Sequence, residues 1–565
     1  MKFIFRFIFS CLFSLIITVI LILIFNPILN SNNVIIDLGF ISFNVCEKLS
    51  FIWKYIYHIY FLLSFLAYFF IGNSIFSHFF KNFKYEIKSN NIPSGLHLLI
   101  GKTASNKEIY IEESGLYQNF LVTGTIGSGK TSSVMYPFTR QLISYNFALS
   151  NINNSSSTIG MLILDVKGNF YKQVKYYCNL YGIDDDLIII ELGGYYKYNP
   201  LHKPNLKASV LANRLKTILT LFSTNNSDSY WLDKVEQVLT EAIKLCRLYN
   251  NGYVTFVELH KLVTLPDYYK EKIETLKKLF INSKFSDKEL YDLNASLNFF
   301  EKEFFNLDDR TKNIIISEIT RITSTFVSDY DVMKTFCPPK TKLSFSGFDE
   351  VLSSGKIVVL NMNIFEYNML SRIIATYLKL DFQTEIMSNL SKGVVYPSVF
   401  ICDEYDKFVS KTDGEFFSLS REAKCINIVS TQSYSSLKNA LKDESSVKVI
   451  IQNLINKIWF RTDDIFTIEE SQKQLGKEEK EKTSKSISES AKETTFSYIT
   501  NSLNSQNSNI SETFSTYTQN DFLYDLNFFT QNLETFTALT FLSDGNKIFT
   551  PRKLSMFPYF EIDGL

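Results

Sequence analysis

The segment Gly124-Thr125-Ile126-Gly127-Ser128-Gly129-Lys130-Thr131-Ser132 sets glycines, a lysine and a hydroxyl at GxxxxGK[ST] spacing. Glycines so placed let the backbone wrap a phosphate, so that successive N–H groups and a following helix N-terminus face it. Lys130 then reaches the β- and γ-phosphates of ATP, and the Thr131 hydroxyl ligates Mg²⁺. The apolar run Asn119-Phe120-Leu121-Val122 before the loop and the helix-compatible residues from Ser132 supply the flanking strand and helix. A fortuitous glycine-rich turn would have to reproduce all three parts.

Such a loop needs a carboxylate from a neighbouring strand. Val399-Phe400-Ile401-Cys402-Asp403-Glu404 is a short apolar run ending in two acids. Asp403 is expected in the Mg²⁺ shell and Glu404 as the group polarising the attacking water. A second strand, Met161 to Leu164, ends in Asp165-Val166-Lys167-Gly168, either a polar site element or a structural turn. Cys425 to Thr431 reads as a further strand finishing in Gln432, whose amide suits a γ-phosphate sensor. The alternative is a polar residue that merely ends a strand. Arg421, just before it, could enter a neighbouring subunit's site as an arginine finger or form a surface ion pair with Glu422 or another acid.

The elements that position these groups are distributed over 565 residues, enough for three or four domain-sized units. Residues Phe7 to Phe25 carry no charge, nor do Tyr55 to Phe80, and each run is long enough to span a bilayer. Lys2 and Arg6 before the first, and Lys81, Lys84 and Lys88 after the second, put both ends on the cytoplasmic side. A cleavable signal peptide is the alternative for the first run. His58 and His78 in the second read as packed or interfacial residues. Seven cysteines lie far apart without a CxxC or His/Cys cluster, which suggests neither a disulfide framework nor a zinc site.

In this order the motifs resemble the type IV secretion coupling proteins, the TraG/TraD group. The likeness rests on two N-terminal apolar spans, Gly101-Lys102, Gly124 to Thr131, Asp165 to Gly168, Asn199-Pro200-Leu201, Tyr230-Trp231, Asp403-Glu404, Arg421 before Gln432-Ser433, and Leu475-Gly476. Asn169 stands where the family often has Glu, so that position receives no catalytic role. The resemblance implies an α/β RecA-like P-loop motor with an inserted all-α domain and an N-terminal two-helix transmembrane hairpin in the bacterial inner membrane. It further implies a hexameric ring, ATP with Mg²⁺ as cofactors, relaxase-bound DNA or protein effectors as cargo, and channel subunits of a type IV secretion system as partners.

The expected organisation is a membrane hairpin at 1–80, the first motor part at 81–203, the helical insert at 204–343 and the second motor part at 344–565. The insert has no glycine between Tyr253 and Ser346, apolar residues at helical spacing (Leu232, Val235, Leu239, Ala242, Cys246), and a Ser286-to-Glu289 capping box. Its aromatics Trp231, Tyr268, Phe299 and Phe300 are expected to pack in a core rather than stack on bases. Lys477 to Asn520 is polar without proline or glycine and reads as a flexible loop or solvated helix; an apolar return to the sheet follows.

The 58 basic and 58 acidic residues cancel. Residues 1–80 hold Lys2, Arg6, Lys48 and Lys54 against Asp37 and Glu47, so the rest of the chain is net −2. A DNA-gripping surface would therefore have to gather its cations in one place.

Overall fold

The computed structural model describes residues 14–17, 35–37, 42–44, 62–71, 93–150, 158–222, 229–282, 285–490, 495–497, 502–504 and 509–562. The chain divides into two units, Met1–Asn90 and Asn91–Leu565. In the first, residues 14–17 and 62–71 are helical, and the Ser14 hydroxyl donates to the Phe65 carbonyl at 2.5 Å. Strands β1 (Ile35–Asp37) and β2 (Ser42–Asn44) pair antiparallel. Most of both apolar runs lies outside the described residues, as do His58 and His78. Among the described residues no helix is long and apolar enough to cross a membrane.

The second unit is organised by an eleven-stranded mixed sheet in the order β4-β3-β17-β16-β11-β5-β10-β9-β6-β8-β7. The strands are β3 (His97–Lys102), β4 (Glu108–Glu112), β5 (Phe120–Thr123), β6 (Gly160–Leu164), β7 (Leu187–Glu191), β8 (Ile357–Asn361), β9 (Ser398–Cys402), β10 (Cys425–Thr431), β11 (Asn456–Trp459), β16 (Thr537–Phe541) and β17 (Arg552–Ser555). From β11 to β7 every pairing is parallel. Every residue of β5, β6, β9, β10 and β11 is buried, as near-continuous apolar strands covered on both faces require. The β16-β17-β3-β4 extension is antiparallel, and β3 and β4 bury residues in alternation because one face meets solvent.

Between β7 and β8 the described residues form eight α-helices, from Ala208–Phe222 to Phe348–Ser354. Ser286 and Glu289 close the capping box that starts Asp287–Asn298. Leu232, Val235, Leu239, Ala242 and Cys246 share one core with sheet residues such as Leu121, Leu162 and Phe400. Phe299 and Phe300 are buried, and Trp231 and Tyr268 pack against the same core. Continuity of the core across helices and sheet couples the two mechanically.

A buried ion pair stands behind the Asp403-Glu404 turn. Lys379, on the helix Ile364–Ser391, meets Asp413 at 2.6 Å with both side chains fully buried. The hydroxyls of Tyr405 and Ser410 also donate to Asp413. Lys379→Met is expected to destabilise the protein by about 3–5 kcal/mol by leaving the carboxylate uncompensated. A drop in the denaturant midpoint measures it, and an unchanged midpoint would refute the assignment.

The described residues of the polar stretch after Leu475 form strands rather than a loop or a helix. Strands β12 (Lys477–Ser490) and β15 (Asn509–Phe522) pair antiparallel along their whole length, with β13 (Thr495–Ser497) and β14 (Ser502–Asn504) paired between them. Ion pairs Lys482–Asp521 and Lys485–Glu512 cross the ribbon. Its Thr and Ile positions favour extended backbone, and cross-strand pairs supply what an isolated polar segment lacks.

Candidate nucleotide site

Parallel order places three strand ends side by side. β10 lies between β5 and β9, with Thr431 opposite Thr123 and Val429 opposite Cys402. The P-loop after β5, Gln432 after β10 and Asp403-Glu404 after β9 therefore open on one edge of the sheet.

The loop has the shape its glycines permit. Gly124, Gly127 and Gly129 have φ of 156°, 76° and 104°. A Cβ on Gly129 would stand 2.6 Å from Phe536 Cδ1, so a side chain there would collide as well as strain the backbone. Thr125 N–H donates to the Arg461 carbonyl at 2.9 Å and Phe536 N–H to the Ser128 carbonyl at 3.2 Å, which buttress the loop from outside. The helix begins with a π-wound turn, Thr131–Met135, before Tyr136–Ser150. Lys130 folds over the loop, its Nζ donating to the carbonyls of Gly124 at 2.5 Å and Thr125 at 3.0 Å. Burial lowers its pKa, opposed by Asp403 and Glu404. Ile126 at the tip is exposed, while Ser128 is buried. Ser132 Oγ donates to the Gly129 carbonyl.

Thr131 Oγ1 donates to Asp403 Oδ2 at 2.7 Å across 272 positions of sequence. Cis ligands of an octahedral Mg²⁺, each about 2.1 Å from the ion, lie about 3 Å apart, so this hydroxyl and carboxylate fit two positions of its shell. The other Asp403 oxygen accepts from Ser430 Oγ and from the Glu404 N–H. These contacts fix Glu404 in the left-handed region at φ 50°, a strain typical of functional turns.

Glu404 Oε1 lies 3.5 Å from Lys167 Nζ. Burial pushes its carboxyl pKa up, Lys167 pulls it back, and Asp403 and Asp406 push it further. Lys167→Met is thus expected to raise the Glu404 pKa, so that kcat starts to fall at a higher pH on acidification. A kcat–pH profile tests this, and an unmoved acid limb would contradict it. Asp165 anchors the turn: its oxygens accept from the N–H groups of Lys167, Asn169 and Phe170, tying down the turn and the following helix. Burial raises its pKa despite those bonds.

Gln432 is half-buried at the site edge. Arg421 precedes β10 and so lies at the opposite end of the sheet from its own P-loop. It is exposed, and its guanidinium donates to the Gly545 carbonyl at 3.3 Å rather than pairing with Glu422. Sequence reasoning missed the Ser430 hydroxyl, the Lys167 partner of Glu404, and the Arg461 and Phe536 buttresses. The polar run Ser430-Thr431-Gln432 signalled the first; the buttresses are long-range backbone contacts without a local signature.

A P-loop strand separated by one strand from the acid-bearing strand, in a parallel sheet with the site at its carboxyl edge, defines a RecA-like P-loop nucleotide-binding fold. Residues 397–518 match the sequence family TraG-D_C, described as the TraM recognition site of TraD and TraG. Among solved structures, the trigonal form of the bacterial conjugative coupling protein TrwBdeltaN70 with sulphate shares the fold at TM-score 0.53 and 13% identity, over 83% of this chain and 96% of that one. Its unbound monoclinic form aligns at TM-score 0.52 and 14% identity, over 81% and 89%. The plasmid coupling protein TrwB in complex with ADP and Mg²⁺ aligns at 0.51 and 14%, over 82% and 89%. A search of curated proteins finds no match. The resemblance to type IV coupling proteins thus holds in one sequence segment and in the fold.

Proposed function

We propose that this chain is the ATPase of a type IV secretion or conjugation system, anchored in the inner membrane, that passes relaxase-bound DNA or protein effectors to the channel. The observation that carries this reading is that the segment matching the TraM recognition family is the one that supplies Asp403, Glu404, Arg421 and Gln432. The nucleotide would be cradled by residues 124–132, with Thr131 and Asp403 as ligands of Mg²⁺; when bound, the ion neutralises phosphate charge.

Lys130 leaves its loop carbonyls for the β- and γ-phosphates. Glu404 accepts a proton from the attacking water at a carboxylate oxygen, and Gln432 orients that water or the γ-phosphate. Arg421, too far to serve its own chain, stabilises the developing charge in the neighbour of a hexameric ring. Loss of the γ-phosphate then releases that contact and moves the neighbour.

The test is transfer of DNA or effector to recipient cells. Lys130→Ala and Glu404→Gln, expressed at wild-type level, are expected to reduce transfer to background. A receptor that uses nucleotide only as a conformational switch would keep transfer with Glu404→Gln, and that result would overturn the motor reading. A chromosomal DNA pump is the other alternative; the TraM recognition match favours secretion.

A further inference from the structure

A cavity of about 230 Å³ opens beside the turn that follows Glu404, its polar wall formed by Arg372, Asp406, Lys407, Ser436 and Asn439. No P-loop residue lines it, nor does Asp403 or Glu404. Asp406 is engaged on both oxygens, by Thr431 Oγ1 at 3.1 Å and by Lys407 Nζ at 2.8 Å. Arg372 has no hydrogen bond or ion pair to any described residue, and its Nε is buried without an acceptor. With no acceptor of its own, the guanidinium is available to an anion entering the cavity.

Two cations against one acid leave the wall with net positive charge. Its volume is below the roughly 300–1,000 Å³ of ordinary small-molecule sites, too small for a whole nucleotide but ample for one tetrahedral oxyanion. The guanidinium fork, the ammonium, a hydroxyl and an amide give donors from separate segments, which suits the several acceptor oxygens of a phosphate.

We propose that this cavity is a second phosphate-binding site, with Arg372 as its main donor and Lys407, Ser436 and Asn439 completing it. Its position gives occupancy a route to the first site. Asp406 and Lys407 lie on the turn Tyr405–Lys407 next to Glu404, and Ser436 and Asn439 lie on the helix Tyr434–Leu441 just after Gln432. The phosphate is either one group of a nucleic-acid backbone or inorganic phosphate. Only the nucleic-acid source rests on the motor reading.

The experiment is calorimetric titration of the full chain in detergent, with the P-loop saturated by a non-hydrolysable ATP analogue and Mg²⁺. The probes are inorganic phosphate, a single-stranded DNA oligonucleotide, and the same oligonucleotide with an uncharged methylphosphonate backbone. At least one charged probe is expected to bind saturably, about tenfold more weakly to Arg372→Gln and less affected by Arg372→Lys. Asn439→Asp, at an exposed position, is expected to weaken the same probe by setting a carboxylate beside Arg372, and it carries the test if Arg372→Gln does not fold. Binding of phosphate alone assigns a free-phosphate site, and binding of the charged oligonucleotide alone assigns the backbone. Absence of binding by both charged probes, or binding unchanged in Arg372→Gln and Asn439→Asp, would overturn the proposal. Failure of the motor reading is separate: it would show as absent ATP hydrolysis with phosphate binding intact.

Discussion

Lys130→Ala is expected to cut ATP hydrolysis by at least about a hundredfold, as loss of a preorganised cation facing developing phosphate charge does. The lysine sits within reach of any phosphate in the loop, since it already bonds two loop carbonyls that the nucleotide would displace it from. Its loss also weakens nucleotide binding, because no other cation among the described residues donates to the loop. The fold should survive: the loop keeps its Arg461 and Phe536 contacts, so the unfolding midpoint should stay near wild type. Fluorescent-nucleotide binding and steady-state hydrolysis measure the two effects. Wild-type hydrolysis by Lys130→Ala would place the nucleotide elsewhere.

Glu404→Gln should separate binding from chemistry. The amide keeps the size of the side chain but cannot take a proton, so hydrolysis is expected to fall about 10²- to 10⁴-fold while nucleotide binding stays. The neighbouring Thr131–Asp403 bond does not involve Glu404, so the Mg²⁺ position should be retained. Loss of binding along with hydrolysis would mean that Glu404 shapes the site rather than acting in it. Rapid-quench measurement of bound nucleotide distinguishes the two.

Much of this site was legible because its signals are local. The P-loop is nine consecutive residues, and the Asp403-Glu404 pair ends an apolar run whose length and composition already marked it as a buried strand. That Thr131 meets Asp403 follows from strand order, which no local pattern encodes. The Asp165 turn could be read either way until its carboxylate was seen to hold three backbone N–H groups. The ribbon β12–β15 was missed because its stability comes from pairing across a turn, and Ser, Thr, Lys and Glu in alternation carry no hydrophobic period to declare a strand. The helical segment was plain from its periodicity, yet its shared core with the sheet was not, since packing partners are distant in sequence. Arg421 was singled out by its place before a strand, and only the parallel register puts the start of β10, with Arg421 before it, at the far end of the sheet from its own loop.

Hydrolysis is proposed at the edge of the sheet where Lys130, Asp403, Glu404 and Gln432 lie. Its most direct test is phosphate release by the purified full chain with ATP and Mg²⁺, with and without DNA. Release is expected to require Mg²⁺, to rise with DNA and to fall at least about a hundredfold in Glu404→Gln. Release that is absent from the wild-type chain under every condition, or equal in wild type and Glu404→Gln, would contradict it.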